Sequence, residues 1–190
     1  IGFCKTAFNG EPQPVIITEF ISKGSLENLI LLERQSLADK KWNDTQKLIT
    51  IYGIAAAMSY LHSHNIIHRD LKPANILMDD NFYPIIADFG LSKINHQNQD
   101  SISFVSATGI KGTFLYIAPE ILETYDYTKE GDVYAFSLIV YEIVTNEEPF
   151  KNYSLSKFMS SINKGLRPKI NFAISDSYKN LIESCWSQDP

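Results

Sequence analysis

Three polar side chains of different chemistry lie close together in the stretch at residues 66–77. Asp70 supplies a carboxylate, Lys72 an ammonium group and Asn75 an amide, and apolar pairs flank them on both sides. Because Pro73 can neither donate to a β-ladder nor continue a helix, the middle of this stretch is predicted to be a loop held between two buried anchors. A carboxylate fixed in this way can accept a proton, and a neighbouring ammonium group can place its charge against an anion.

Asp88 supplies a second carboxylate at the end of a short apolar stretch, residues 85–87. Its oxygens and the amide oxygen of Asn75 are hard ligands, which suit Mg²⁺, an ion that prefers a few protein oxygens together with phosphate and water. Gly90 is predicted to allow a sharp turn just after Asp88, because glycine tolerates positive φ. Taken singly, residues of these types are also common as helix caps, turn formers and solvated surface charges.

A small β component is predicted near these groups. Residues 2–7 and 15–20 are rich in β-branched and aromatic side chains, and the turn signal at 9–12 between them predicts a β-hairpin. A second turn, at residues 79–81, is predicted to separate two short strands that lead into Asp88.

Helices are predicted to form most of the remaining chain, so the predicted fold class is mainly α. Ser25 is a good N-cap for a helix that begins there, and two further helices are predicted near 154–163 and 175–186. The segment 128–144 is apolar on nearly every face, which is typical of a buried helix, and it is predicted to be the core axis. A long helix over 44–63 is predicted from apolar residues that recur at helical spacing: Leu48, Ile51, Tyr52, Ala55, Met58 and Leu61.

Composition excludes several classes of protein. With 190 residues, of which 44% are hydrophobic, the chain can bury one core, and its net charge of −5 without any basic run disfavours nucleic acid or an anionic membrane as a partner. The two cysteines, Cys4 and Cys185, lie at opposite ends and predict neither a disulfide framework nor a zinc site. No apolar run reaches membrane-spanning length and no signal peptide is recognised, so a cytoplasmic, intracellular location is expected.

Five motifs together resemble the eukaryotic protein kinase family. The string His-Arg-Asp-Leu-Lys-Pro-Ala-Asn at 68–75 matches the family's catalytic-loop pattern, and Asp-Phe-Gly at 88–90 and Ala-Pro-Glu at 118–120 follow in the family's order. Residues 18–26 resemble the kinase hinge, and residues 131–137 are similar to the start of the family's central buried helix. The resemblance covers essentially the whole chain.

The resemblance implies transfer of the γ-phosphoryl group of ATP to a protein hydroxyl. Asp70 would then accept the hydroxyl proton, and Lys72 would place its charge against the transferring group. Asn75 and Asp88 would hold Mg²⁺. ATP and Mg²⁺ are therefore the expected cofactors, and a protein with a serine or threonine acceptor is the expected substrate.

The resemblance also implies a nucleotide site along the hinge. Thr18 would be the gatekeeper, the Glu19 carbonyl and the Ile21 amide would bond the adenine, and Leu77 would form the floor beneath the ring.

Five further residues have structural roles by the same resemblance. His68 is expected to be a packed core histidine, and Phe89 is expected to pack beneath the site before the turn at Gly90. Asp132 would bind the backbone of the catalytic loop, which explains an acid at the start of so apolar a helix. Glu120 would pair with an arginine that lies beyond residue 190.

Regulation is expected to act through Arg69, which in the family usually pairs with a phosphorylated residue on the activation segment. An activating kinase is the expected source of that phosphate. Residues 93–108 are predicted to be a loop because they are mostly polar and lack periodicity. The candidate phosphorylation sites are Ser101, Ser103, Ser106 and Thr108, any of which could instead be an ordinary solvated loop residue.

Lys72 together with Thr113, in the expected substrate platform, is the serine/threonine-kinase pattern. Because the hinge is tyrosine-kinase-like, the mixture indicates the tyrosine-kinase-like group of serine/threonine kinases.

The expected domain organisation is incomplete. Residues 1–21 are interpreted as a remnant of the kinase N-lobe and hinge, and residues 22–190 as a truncated C-lobe. The family's Gly-rich loop, strand lysine and helix glutamate would precede Ile1, so the chain by itself is expected to be inactive. Two alternatives stay open: a pseudokinase scaffold, and a small-molecule phosphotransferase, which would lack the Ala-Pro-Glu platform and the Asp132 helix start.

Overall fold

The computed structural model describes residues 2–6, 14–94, 113–170 and 174–188. Within them lie the strands β1 (Gly2–Cys4), β2 (Val15–Ile17), β3 (Ile66–Ile67), β4 (Ile76–Met78), β5 (Pro84–Ile86) and β6 (Lys93–Ile94). The helices are α1 (Leu26–Arg34), α2 (Asp44–Ser63), α3 (Pro119–Thr124), α4 (Lys129–Thr145), α5 (Leu155–Ile162) and α6 (Asp176–Cys185). The prediction of a mainly α fold with a small β component is confirmed.

Three two-stranded antiparallel sheets make up the β component of the described residues. β1 pairs with β2 in the register Gly2↔Ile17, which confirms the first hairpin, while its predicted turn at 9–12 lies outside the described residues. β4 pairs with β5, which confirms the strands on either side of the turn at 79–81. β6 pairs with β3, so the prediction that the loop begins at residue 93 was wrong by two residues.

Helix α4 is the axis of the core, as predicted. Of its 17 residues 13 are buried, and it packs against both α2 and α6. The helix can pack against neighbours on several sides because apolar side chains occupy each of its faces. The hydroxyl of Thr128 caps its first turn by accepting a hydrogen bond from the Gly131 amide at 3.1 Å.

Capping side chains also set the starts of α1 and α2. Ser25 accepts a hydrogen bond from the amide of Asn28 and is the N-cap of α1, as predicted. Asn43 does the same for α2 through the amide of Gln46.

The buried face of α2 differs from the stripe that predicted it. The helix buries Thr50, Ile51, Ile54 and Met58. Three residues of the predicted stripe are instead exposed: Leu48, Tyr52 and Ala55. Apolar spacing predicted the helix correctly but could not identify its inner face, because apolar residues occur on both of its sides. None of the helices in the described ranges is both long and apolar enough to cross a membrane.

Candidate active site

The loop between β3 and β4 brings its three polar side chains into direct contact. One carboxylate oxygen of Asp70, Oδ2, accepts hydrogen bonds from Lys72 Nζ at 2.7 Å and from Asn75 Nδ2 at 2.9 Å. Asn75 Nδ2 also donates to the main-chain oxygen of Asp70 at 2.8 Å. The side chains of Asp70 and Lys72 are each 14% exposed, so the carboxylate is held rigidly yet stays within reach of a ligand.

Asp132 holds the backbone of this loop from the first turn of α4. Its Oδ2 accepts the amide of His68 at 2.8 Å, and its Oδ1 accepts the amide of Arg69 at 2.9 Å. The imidazole of His62, at the end of α2, lies 2.9 Å from Oδ2. Asp132 is only 3% exposed, so these bonds and the positive end of the helix macrodipole compensate the cost of burying its charge.

His68 is a fully buried, hydrogen-bonded histidine. Its Nε2 lies 3.0 Å from the carbonyl oxygen of Ala87, and its Nδ1 accepts the amide of Asp70 at 3.4 Å. A neutral ring protonated on Nε2 satisfies both contacts. The Phe89 ring lies against it with a centroid distance of 5.3 Å, so His68 connects the loop between β3 and β4 to the segment after β5.

The β4–β5 hairpin places Asn75 and Asp88 at the same end of the sheet. Asn75 directly precedes β4, and its carbonyl oxygen accepts the amide of Ala87 at 2.9 Å, one residue before Asp88. Asp88 is exposed, and its Oδ1 accepts the Gly90 amide at 3.4 Å. Antiparallel pairing therefore brings the two candidate metal ligands to one edge although they are distant in sequence.

The prediction for Gly90 was wrong in its reason. The left-handed conformation belongs to Asp88, with φ of 59°, while Gly90 lies in a short 3-10 helix, Phe89–Leu91, and is not among the residues with positive φ. A Cβ atom at Gly90 would lie 3.2 Å from Asp88 Oδ1. A small residue is therefore favoured at this position because it leaves space for the Asp88 carboxylate.

The oxygens of Asn75 and Asp88 suit a metal ion that keeps water and phosphate among its ligands. No group of three or more histidine, cysteine, aspartate or glutamate residues that could hold a metal occurs among the residues described. Mg²⁺ commonly binds through one or two protein oxygens plus water and phosphate. Asp88 and Asn75 fit this pattern, because Asn75 directs its amide nitrogen to Asp70 and would offer Oδ1 to a metal.

The expected nucleotide residues lie along the segment that joins β2 to α1. Thr18 and Glu19 are exposed, and Ile21 is partly buried, with its carbonyl oxygen accepting the Gly24 amide at 3.4 Å. Leu77 in β4 forms an isolated bridge with Ser25. The structure thus brings Leu77 beside the end of the hinge segment.

Several expected site residues lie outside what the structure describes. Ser101, Ser103, Ser106 and Thr108 are in the segment 95–112, which is not described. Thr113 begins the short 3-10 helix Thr113–Tyr116, but its side chain is also not described. Glu120 is partly buried and lines a cavity together with Tyr134.

Sequence analysis missed a buried cluster beside the expected substrate platform. Glu142 of α4 is 5% exposed and pairs with Arg34 of α1, whose Nη2 lies 2.9 Å from Glu142 Oε2. The hydroxyl of Tyr116 donates to the other carboxylate oxygen. Burial raises the pKa of Glu142, although the bonds from Tyr116 and Arg34 act in the opposite direction. The available signal was that Glu142 is the one acid in the otherwise apolar or uncharged stretch 133–145 of α4, because a buried acid needs a partner.

Replacing Arg34 with methionine is expected to destabilise the fold by about 1–3 kcal/mol at neutral pH. The Arg34 side chain is 28% exposed, which keeps the loss below that of a fully buried pair. Without the guanidinium, the already raised pKa of Glu142 in the folded state rises further. Ionised Glu142 is therefore less stable in the folded variant than in the folded wild type. The loss of the ion pair should therefore cost little below the usual glutamate pKa of 4.5, where both states bind the proton, and more as the pH rises through the raised pKa of folded Glu142. The variant also loses, at every pH, the bond that Arg34 Nε donates to the Asn146 carbonyl oxygen at 2.8 Å.

Urea unfolding of wild type and Arg34→Met across this pH range measures the effect, with Lys40→Met as a control at an exposed position on the loop after α1. Adding Glu142→Gln to Arg34→Met should remove the pH dependence. A penalty that is the same at all pH values would contradict the assigned ion pair.

Comparison with known proteins gives one consistent result. The family described as "Protein tyrosine and serine/threonine kinase" matches residues 1–190. A probable serine/threonine-protein kinase of Dictyostelium discoideum is 36% identical over 180 residues, which cover 92% of the chain and 13% of that protein. The serine/threonine-protein kinase STY17 of Arabidopsis thaliana is 33% identical over 192 residues, covering 100% of the chain and 31% of that protein.

A third relative, the serine/threonine-protein kinase CTR1 of Arabidopsis thaliana, is 32% identical over 182 residues and is covered for 21% of its length. The chain therefore spans less than a third of each of these three proteins.

Proposed function

The chain belongs to the protein tyrosine and serine/threonine kinase family, and we propose that the complete protein transfers the γ-phosphoryl group of ATP to serine or threonine hydroxyls of other proteins. The observation that carries this proposal is the contact of Asp70 with both Lys72 and Asn75 in a loop anchored by Asp132. Phosphoryl transfer needs an aimed nucleophile, a held metal and neutralised charge, and this arrangement offers a group for each task.

Asp70 would accept the proton of the substrate hydroxyl and orient its oxygen for attack. Because Oδ2 is engaged by Lys72 and Asn75, the other carboxylate oxygen, Oδ1, would face the substrate. Lys72 would move its ammonium charge toward the transferring group as that group approaches. A positioned base of this kind contributes about 10²–10⁴-fold to the rate.

Asn75 and Asp88 would hold Mg²⁺, which would supply positive charge to neutralise the phosphates of ATP. The hinge residues Thr18, Glu19 and Ile21 would contact the adenine, with Leu77 beneath it.

The remaining expectations complete the proposal. Residues 1–21 would belong to the N-lobe and hinge and residues 22–190 to the C-lobe. Thr113 would contribute to the substrate platform. Arg69 would respond to phosphorylation of Ser101, Ser103, Ser106 or Thr108 by an activating kinase.

The relatives named as serine/threonine kinases, together with Lys72, support serine/threonine acceptors and membership of the tyrosine-kinase-like group.

The expected result for acceptor choice is predominant phosphoserine and phosphothreonine. The complete protein would be incubated with Mg²⁺, γ-labelled ATP and a peptide array that carries all three hydroxyl residues, and the labelled amino acids would be identified. Asp70→Asn serves as the control for contaminating kinases. Predominant phosphotyrosine would refute the acceptor class, and no transfer at all would favour the scaffold alternative.

A further inference from the structure

The N-terminal end of α4 contacts Arg69 at two separate places. Asp132 accepts the Arg69 amide at 2.9 Å, and the Arg69 Cζ atom lies over the ring of Tyr127, 5.4 Å from its centroid. Tyr127 directly precedes Thr128, the N-cap of α4. The first turn of α4 therefore contacts the backbone of Arg69, and the residue just before the N-cap contacts its side chain.

Arg69 has a backbone conformation that requires support. Its φ of 71° lies in the left-handed region, which residues with a side chain adopt rarely and at an energetic cost. Because Arg69 directly precedes Asp70, a rotation of its backbone would displace the Asp70 carboxylate. The amide is fixed by Asp132, but Arg69 Nε is buried without a hydrogen-bond partner among the residues that the structure describes.

The ring of Tyr127 gives the guanidinium of Arg69 an attractive contact. An aromatic face attracts a cation at this distance, and the attraction strengthens when the pair is shielded from water. Tyr127, Arg69 and Asp70 line one small cavity. Burial raises the pKa of Tyr127, the Arg69 charge opposes the rise and the Asp70 carboxylate adds to it, which is consistent with a neutral ring close to both groups.

We propose that Tyr127 is a positioning residue: its ring holds the Arg69 side chain against the start of α4 and thereby keeps Asp70 aimed at the substrate hydroxyl. This inference rests on the proposed kinase function. It assigns the task to the ring face, which attracts the cation, and none to the hydroxyl.

The first test compares Tyr127→Phe with Tyr127→Leu in the complete protein. We expect Tyr127→Phe to keep kcat within about twofold and Tyr127→Leu to lower it about three- to tenfold, the range that a partly buried cation–π contact supplies. KM for ATP should stay unchanged in both variants, because neither touches the hinge. Tyr52→Leu, at a position that is 74% exposed on α2, is the matched control and should retain full activity.

The second test keeps the shape of the ring and changes only its charge distribution. Tyr127→Phe is compared with Tyr127→fluorophenylalanine variants that carry one, two or three ring fluorines, each of which weakens the attraction for a cation. A stepwise fall in kcat at constant thermal midpoint supports the proposal, because a purely packing role would not follow fluorination.

A constant kcat across the fluorine series would overturn the inference, as would a Tyr127→Leu variant that matches an active wild type. Failure of the proposed function gives a different result, since the wild-type protein itself would then transfer no phosphoryl group.

Discussion

Replacing Asp70 with asparagine is expected to lower the turnover of the complete protein about a hundredfold or more while leaving the fold intact. Asparagine has the same shape and can still accept the bonds that Lys72 and Asn75 donate to Oδ2 in the wild type. It cannot take a proton from a substrate hydroxyl. The loss should therefore fall on kcat, because the residues proposed to bind the nucleotide and the metal are unchanged.

Initial rates of phosphoryl transfer at saturating ATP and peptide measure this effect, and a thermal melt verifies that the variant is folded. Asp126→Asn is the matched control, since Asp126 is exposed and lies three residues before the start of α4. Near-normal turnover by Asp70→Asn would exclude Asp70 as the base.

The sequence predicted those parts of the site that are held by local structure. The loop between β3 and β4 was recognisable because its polar residues are close in sequence and lie between apolar anchors. Helix α4 was equally clear, since apolar side chains on nearly every face are typical of a buried helix. The acid at its start, Asp132, is an exception, because its long-range contact with the loop backbone was expected from the family resemblance and not from local structure. The structure shows that its partners are the backbone amides of His68 and Arg69, at 2.8 and 2.9 Å.

The contacts that escaped prediction join residues that are distant in sequence. His62 and Asp132 are 70 positions apart, and Arg34 and Glu142 are 108 positions apart. No periodicity or motif specifies such pairs, because they depend on how helices pack after each has formed. His62 was assigned no role from sequence, although its position at the end of α2, just before the catalytic loop, was the available signal.

Asp132→Asn is expected to lower the free energy of unfolding by about 2–5 kcal/mol. The wild-type carboxylate accepts three hydrogen bonds, from the amides of His68 and Arg69 and from the imidazole of His62. An asparagine side chain has one oxygen, so its NH₂ group must face at least one of these donors and leave it unsatisfied. Because Asp132 is only 3% exposed, water cannot replace the lost acceptor without opening the packing.

The matched control for this prediction is Glu130→Gln, which removes an acid from the same first turn of α4 but at an exposed position. Its midpoint in urea should stay close to that of the wild type, whereas the midpoint of Asp132→Asn should fall clearly. The kcat of folded Asp132→Asn should fall as well, because Arg69 would lose the bond that holds its left-handed backbone before Asp70. If Asp132→Asn had the urea midpoint and the kcat of the wild type, the loop between β3 and β4 would keep its shape without the hydrogen bonds from Asp132, and the prediction would be wrong.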